Sequence, residues 1–517
     1  MIESIKLSNY KAFENVFIPI KPITIFLGAN SVGKSSIIQM LMLMHQTAES
    51  KGNSYASALK IYGNYVNAGA YENLFHKKNT NFPVKLSVNI DAGKLGSYVQ
   101  QCKTEFISIF VQLALYSSYS PVRELIQMSD RLASKDHFTD YIHGLIKEIK
   151  QKKSNSVDFV VGNLIGANST SSSKKYISEI KIEEVLATYE LMDALLSETQ
   201  DTLSITYELI VKDNTLKIRS LDVSVAKSIL RIEEDNVSSD YISSRLLDKI
   251  TILKGFNTSR TIFDCMDDTV IGKNKISPAY YLGKIITKVL QVFNECCSGS
   301  LMNYVSPLRA HPKRYYMLDK ANTTVSLNTL DGDEITEVLK ENATIKRSVN
   351  AWFEKFGLKI DVNPFKEVVH NLKVTQNGLA LDITDVGFGI SQVLPIIIQG
   401  FLSSTDSLTI VEQPEIHLHP KMQADLGDLF IDIVKKRSKK IIIETHSEYL
   451  LRRIRRRIAE GRISAKDVSI CLFHPCTNEH AAYVEVLPIG NKGCFQWPEE
   501  FYGGDLYDDT TEYLKYQ

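Results

Sequence analysis

Cysteine is scarce in this chain: seven among 517 residues, an odd number at no regular spacing. That argues against a disulfide framework and for a reducing cytosol. Only Cys471, His474, Cys476 and His480 crowd together. Their spacing fits no standard zinc pattern, and residues 470–473 read as a buried strand in which the cysteine is a small apolar side chain. Long apolar runs are missing as well. Residues 386–402 come nearest and are broken by Gly387, Gly389, Gln392, Pro395 and Gln399, so no membrane span is expected. The first residues enter an alternating segment without an apolar h-region, so no signal peptide is expected either. Net charge is absent, with 60 Lys and Arg against 60 Asp and Glu, and no global basic field announces a nucleic-acid binder. The zero hides an uneven spread. Residues 435–462 carry eleven Lys/Arg and three Asp/Glu, a balance of +8, whereas 498–517 carry six acids and one lysine, a balance of −5.

What is present is a globular composition, 44% hydrophobic and 23% charged. The length calls for two or three domains, or one domain with a large insertion. The start reads as strand–strand–strand–loop–helix: short apolar or alternating runs at 2–7 and 16–20, a buried strand at 23–27, and a helix over 35–44 that is apolar on nearly every face. Another alternating strand follows at 83–90. From about 97 to 153 the periodicity turns helical. Residues 166–175 (GANSTSSSKK) are a low-complexity surface loop, 205–211 and 216–225 form a hairpin turning at Lys212-Asp213-Asn214, and 279–293 form a helix. Strand–turn–helix chemistry resumes after about 360. No internal repeat is found. The simplest organisation is one head in two halves, 1–95 and 301–517, split by a mainly helical insertion at 96–300 that carries a β-hairpin.

Four segments carry chemistry. Gly28-Ala29-Asn30-Ser31-Val32-Gly33-Lys34-Ser35 follows a buried strand and opens a helix, the setting of a phosphate-binding loop. Glycines let it curl, the amides of residues 31–35 receive phosphate, and the helix adds its positive end. Gly28, Asn30, Ser31, Val32, Gly33, Lys34, Ser35 and Ser36 are therefore nucleotide-binding candidates, with Lys34 on the β- and γ-phosphates and Ser35 on Mg²⁺. The second segment is residues 408–415. A buried strand there delivers Glu412 to its end, where a Walker B acid holds the Mg²⁺ shell. Gln413 stands where a catalytic carboxylate usually sits and cannot act as a general base. Glu415 could substitute for it, or Gln413 could orient water. The third, residues 385–392, places two glycines and a serine ahead of an apolar helix, another anion-receptive turn. The fourth is His446 at the end of an apolar strand, where an imidazole could reach the γ-phosphate.

The order of these segments resembles that of ABC-type ATPases of the OLD-like group, and within it the PtuA ATPases of Septu and retron antiphage defence systems. The resembling residues are GANSVGKSS at 28–36, AGAYENLFH at 68–76, SPLRAHPKRYY at 306–316, DVGFGISQVLP at 385–395, VEQPEIHLHP at 411–420 and ETHSEYLLRRIRRRIAEG at 444–461, with GCFQWP at 493–498. The resemblance implies an α/β fold: a P-loop NTPase, ABC-type ATPase head with a mixed sheet and flanking helices. It implies ATP and Mg²⁺, the metal held through Ser35 and Glu412. It implies a head-to-tail homo-oligomer in which Gly389, Ser391 and Gln392 of one subunit complete the site around Lys34 of another. His419 would lie in a D-loop-like crossing and His446 would sense the γ-phosphate, so the catalytic candidates are Glu412, Gln413, Glu415 and His446. No Q-loop glutamine is located. Implied partners are an HNH nuclease, PtuB-like, and in retrons a reverse transcriptase with its RNA–DNA product (msDNA).

Residues 450–458 place Leu450, Leu451, Ile454 and Ile458 on one helix stripe and leave Arg452, Arg453, Arg455, Arg456 and Arg457 on the remaining faces. A solvated or interface face is the plainer reading. Contact with nucleic-acid phosphate is the sharper one, weakened by the lack of interleaved aromatics. Two other functions are weighed. An OLD-type nuclease would need a Toprim fold of roughly a hundred residues, and Asp505, Asp508 and Asp509 lack such a setting. A DNA-repair ATPase like RecF or the SMC heads remains the alternative, without a heptad run for a long coiled arm.

Overall fold

The computed structural model describes residues 1–50, 57–117, 135–152, 161, 180–198, 202–271, 274–299, 301–317, 334–366, 369–477 and 480–495. The low-complexity loop at 166–175, the end of the 493–498 motif and the acidic tail lie outside them.

The chain opens with β1 (Ile2–Tyr10), β2 (Phe13–Pro19), β3 (Ile23–Leu27) and α1 (Lys34–Ala48), then β4 (Val84–Asp91). Helices α2 (Gly93–Ser117), α3 (Lys135–Lys152) and α4 (Ile182–Ser197) follow. The middle section continues with β5 (Thr202–Lys212), β6 (Thr215–Val225), β7 (Lys227–Glu233), β8 (Asn236–Ser238), α5 (Lys249–Gly255) and α6 (Pro278–Cys297). After it come β9 (Met302–Val305), β10 (Tyr316–Met317), α7 (Glu334–Glu341), α8 (Ala343–Phe353), β11 (Leu358–Lys366), β12 (Val369–Gln376) and β13 (Leu379–Asp382). The chain closes with α9 (Phe388–Leu402), β14 (Leu408–Glu412), α10 (Pro420–Arg437), β15 (Lys440–Glu444), α11 (Glu448–Ala459), β16 (Val468–His474) and β17 (Tyr483–Leu487).

Six strands in the order β17-β16-β3-β15-β14-β9 form the central sheet, parallel except for β17. Its inner strands β3, β14, β15 and β16 are buried almost throughout and largely apolar because both faces are covered. Alternation then sorts the side chains. Ile23, Ile25 and Leu27 of β3, with Val411, Ile441 and Ile443, enter one core with α9, α10 and α11. Phe26, Ile410, Ile442 and Cys471 enter the other with α1 and the seven-stranded antiparallel sheet β2-β1-β4-β5-β6-β7-β8. Helix α1 belongs to that second core, so its residues 37–47 are buried with the exception of Gln39, as its all-round apolar pattern implies. A third, smaller sheet has β12 paired with β11 on one edge and with β10 and β13 on the other.

The middle section carries strands β5 to β8 among its helices. Strand β5 pairs with β4 from Val84↔Leu209 to Asp91↔Thr202, so residues 202–238 add four strands to the sheet that begins with β1. The hairpin turn is where the sequence puts it, with Asp213 and Asn214 both at φ 54°, the left-handed pair of a tight two-residue turn. The short, weakly alternating β7 and β8 gave no strand signal on their own; they gain their place by pairing with β6. Helices α2, α3, α4 and α6 pack through aromatic rings, Phe138 stacked on Tyr189 at 4.4 Å and Phe106 edge-on to Tyr281 at 5.5 Å.

Candidate active site

The phosphate-binding loop leaves β3 at Leu27 and needs left-handed backbone at Gly28 (φ 137°), Ser31 (φ 65°) and Gly33 (φ 106°). A Cβ on Gly28 would lie 2.6 Å from the Phe473 carbonyl oxygen, and one on Gly33 would lie 2.6 Å from the Phe13 ring, so both positions exclude side chains twice over. Helix α1 starts at the next residue, presenting its N-terminal amides to the loop. Ala29, Asn30, Ser31 and Ser35 are exposed and Val32 is buried. Ser36 donates its N–H to the Gly33 carbonyl, and its own carbonyl accepts from the Tyr10 hydroxyl at 3.1 Å. The Lys34 ammonium is buried inside the loop, donating to the carbonyls of Gly28 (2.9 Å) and Ala29 (2.6 Å). Burial pulls its pKa down, and Glu444, 3.9 Å away, opposes that pull.

Parallel register carries acids to the same edge. Glu412 at the end of β14 is level with Glu444 at the end of β15, and Glu444 is level with Phe26 of β3. Both carboxylates therefore stand on one face beside the loop. Tyr304 of β9 donates its hydroxyl to Glu412 Oε1 at 2.6 Å. Burial raises the Glu412 pKa, against the hydrogen bonds from Tyr304 and Glu444 and the charge of Arg309. Burial, then repulsion from Glu412, pushes Glu444 up to about 7, with Lys34 opposing. Arg309 is buried behind the strand end and donates from Nη2 to the carbonyls of Glu412 (2.7 Å) and Gln413 (3.2 Å). Burial lowers its pKa to about 10 despite the acids around it.

Gln413 takes φ 44°, a conformation that costs a non-glycine residue about 1–3 kcal/mol. Its N–H donates to the Glu444 carbonyl at 2.7 Å and its carbonyl accepts from Arg309, so the turn is held from both sides. Glu415 is also engaged at both oxygens: Oε1 accepts the His446 N–H (2.7 Å) and Oε2 the Thr445 hydroxyl (2.8 Å). It ties the loop after β14 to the loop after β15. Its pKa is raised by burial, against those hydrogen bonds. His446 is exposed at the tip of that second loop, its pKa lowered by partial burial and then by the charge of Lys34.

Lys34, Glu412, Gln413, Glu415 and His446 thus converge. Gly389, Ser391 and Gln392 sit at the start of α9, the last two buried. There a Cβ on Gly389 would meet the His417 carbonyl at 2.7 Å, which places this glycine against the loop after β14 and not against the phosphate-binding loop. His419 caps α10, accepting from the Lys421 N–H at 3.3 Å. The arginines of α11 are largely spoken for. Arg453 and Arg457 bind Asp425 and Asp428 of α10, Arg455 donates to the Gly493 carbonyl and lies over Phe495, and Arg452 and Arg456 pair with Glu448 and Glu460. Cys471 is buried in β16, while His474 stacks on Tyr483 and bonds Glu485. Among the described residues no group of three metal-ligating side chains gathers there. No helix among them is long and apolar enough to cross a membrane.

Sequence reasoning passed over Tyr304, Arg309 and Glu444 as site residues. Glu444 had a signal, since an apolar run ending in an acid repeats the pattern of residues 408–412. Arg309 lies in the 306–316 motif, which was given no role, and Tyr304 had no signal, because its partner lies more than a hundred residues away.

A glycine loop at the head of a buried helix, its lysine beside strand-end carboxylates on a parallel sheet, defines a P-loop nucleoside triphosphatase. The chain belongs to the AAA ATPase domain family AAA_15, whose profile matches residues 1–451, and it is an ATPase of that type. No curated protein matches it. Among solved structures it is similar to the SMC head domain from Thermotoga maritima (8% identity, 94% of this chain and 99% of that one, TM-score 0.36). It is also similar to an SMC head with an extended coiled coil bound to the C-terminal domain of ScpA, derived from Pyrococcus furiosus (10%, 94% and 96%, TM-score 0.38). These likenesses are loose and add nothing to the topology above. The family implies Mg²⁺ with the nucleotide. The donors fit a hard cation: the exposed Ser35 hydroxyl at the head of α1 and the buried Glu412 carboxylate are oxygen ligands.

Proposed function

We propose that the chain is the ATP-binding, slowly hydrolysing subunit of an antiphage defence complex, where it regulates a partner HNH nuclease. The observation that carries the nucleotide half of this reading is Lys34, held between the carbonyls of its own loop and the Glu444 carboxylate. Phosphate entering the loop meets inward amides and an ammonium that can exchange carbonyl partners for phosphate oxygens. Ser35 and Glu412 would hold Mg²⁺, which offsets the charge of the β- and γ-phosphates. Gln413 can orient a water but takes no proton, and Glu415 is occupied in joining two loops. Slow, switch-like turnover follows. The defence half rests on resemblance to the PtuA ATPases along motifs that span both halves of the chain, and it brings the head-to-tail dimer and the retron reverse transcriptase with its msDNA as further partners. Signature residues Gly389, Ser391 and Gln392 would reach the nucleotide of a second copy. Nucleic acid approaching α11 would meet Arg452 and Arg456, whose side chains are two-thirds exposed.

The test is expression with the neighbouring genes of the source genome. An HNH protein encoded beside this one co-purifies with it, and phage protection is lost in Lys34→Ala. Protection that needs no neighbouring nuclease, or ATP-dependent DNA binding with no such partner, would favour a repair ATPase instead. DNA cleavage by the pure chain with Mg²⁺ or Mn²⁺ would point to an OLD-type nuclease.

A further inference from the structure

Glu444 is the one acid at this site that the nucleotide-binding motifs leave without work. Its residue is 5% exposed, it lies level with Glu412 on the adjacent strand, and its Oε2 has no N–H or O–H donor among the described residues. Its other oxygen is 3.9 Å from the Lys34 ammonium. The neighbourhood is also short of positive charge. Three carboxyl groups, Glu412, Glu415 and Glu444, face two cations, Lys34 and Arg309, and the hydrogen bond between Glu412 and Glu444 needs a proton on one of them. Arg309 spends its Nη2 on backbone carbonyls, and Tyr304 gives its hydroxyl to Glu412 alone. When Lys34 turns to phosphate, Glu444 loses its nearest cation. A buried carboxylate oxygen without a donor, beside a second carboxylate, is an arrangement that a divalent cation or its bound water relieves and that a buried site otherwise resists.

We infer that Glu444 is a second carboxylate for the nucleotide's Mg²⁺, acting with Ser35 and Glu412, directly or through a metal-bound water. The inference rests on the ATP-binding reading of the loop. It assigns Glu444 to the metal and not to the attacking water, because the residue sits one strand from the Walker B acid and faces the lysine that would hold the phosphates. The backbone supports that position: the Glu444 carbonyl accepts the Gln413 N–H, and the following Thr445 N–H donates to Phe26.

The experiment measures metal binding apart from turnover. Wild type, Glu444→Gln and Glu444→Asp are titrated with a fluorescent non-hydrolysable ATP analogue in EDTA, then with Mn²⁺ followed by its EPR signal. Thermal melts confirm that each variant folds. Glu444→Gln is expected to keep analogue affinity in EDTA within about threefold, and to raise the Mn²⁺ half-saturation about tenfold or more, the usual range for losing a group that supports a metal. Glu444→Asp, which keeps the charge, falls between. Mn²⁺ affinity unchanged in Glu444→Gln overturns the proposal, and so does a loss of hydrolysis with metal affinity intact, which would make Glu444 a group acting on water. A wild-type protein that binds no analogue removes the ATP-binding reading as well, whereas normal wild-type binding with an indifferent Glu444→Gln removes this proposal alone.

Discussion

In the function proposed here, Gln413 sets the tempo of the site. Its backbone is fixed at φ 44° by hydrogen bonds from Arg309 and to Glu444, so replacing its side-chain amide by a carboxylate leaves the turn intact. General-base catalysis is worth roughly 10²–10⁴-fold. Gln413→Glu is therefore expected to raise kcat for ATP at least tenfold with little change in KM, read by steady-state phosphate release. An unchanged kcat would mean that proton removal is not what limits the wild-type enzyme. At this scale the sequence motifs nominate Lys34, Ser35, Glu412 and His446, because local order around a strand end is enough to single them out. They could not show that Glu415 has both oxygens engaged, or that Arg309 closes the Gln413 turn, because those contacts join loops far apart in the chain.

The element that sequence left undecided is α11, with its run of arginines. Its apolar stripe is as the spacing implies, with Leu450, Leu451, Ile454 and Ile458 all buried. The charged faces are mostly structural. Asp428 of α10 receives Arg453 and Arg457, and Arg453 also holds Asp425 at 2.8 Å. Burial alone would raise the Asp428 pKa, but the bonds from Arg457 and Arg453 outweigh it and hold the carboxyl below its ordinary value. A depressed carboxyl contributes stability that is fully present above the unfolded-state pKa near 3.9 and is lost as pH falls through the lower folded value. Asp428→Asn is expected to lower stability by about 2 kcal/mol at pH 7, reduced from the fully buried range because the arginines keep some solvent contact. Its melting temperature should converge on that of wild type as pH drops below 4. Parallel melting curves from pH 7 to 3 would contradict the linkage. Sequence periodicity could place the arginines on the faces of a helix, but not the aspartates of α10 opposite them.

For the whole molecule, the strand–loop–helix units around β3, β14 and β15 were legible because such units announce themselves locally. The seven-stranded sheet was not, because β5 pairs with β4 across more than a hundred residues and the intervening helices dominate the pattern. The outcome is a head in which the central sheet supplies the chemistry and α1 lies in the core under a second sheet. That leaves the loop, the ends of β14 and β15, and the start of α9 as the chemically equipped edge. If two such edges meet head to tail, ATP with Mg²⁺ should shift the particle mass in photometry towards twice that of the chain, and EDTA should reverse the shift. A mass indifferent to nucleotide would contradict a composite site. Beneath every one of these statements lies the assignment of residues 28–36 as the triphosphate cradle. The direct test is ATP binding and hydrolysis by Lys34→Ala beside wild type. Wild type should melt higher with saturating ATP and Mg²⁺, by the equivalent of about 2.7 kcal/mol at a hundredfold excess over Kd, and should release phosphate. Lys34→Ala should fold and do neither. A Lys34→Ala protein that gains the same stability from ATP and hydrolyses it at the wild-type rate would contradict the account.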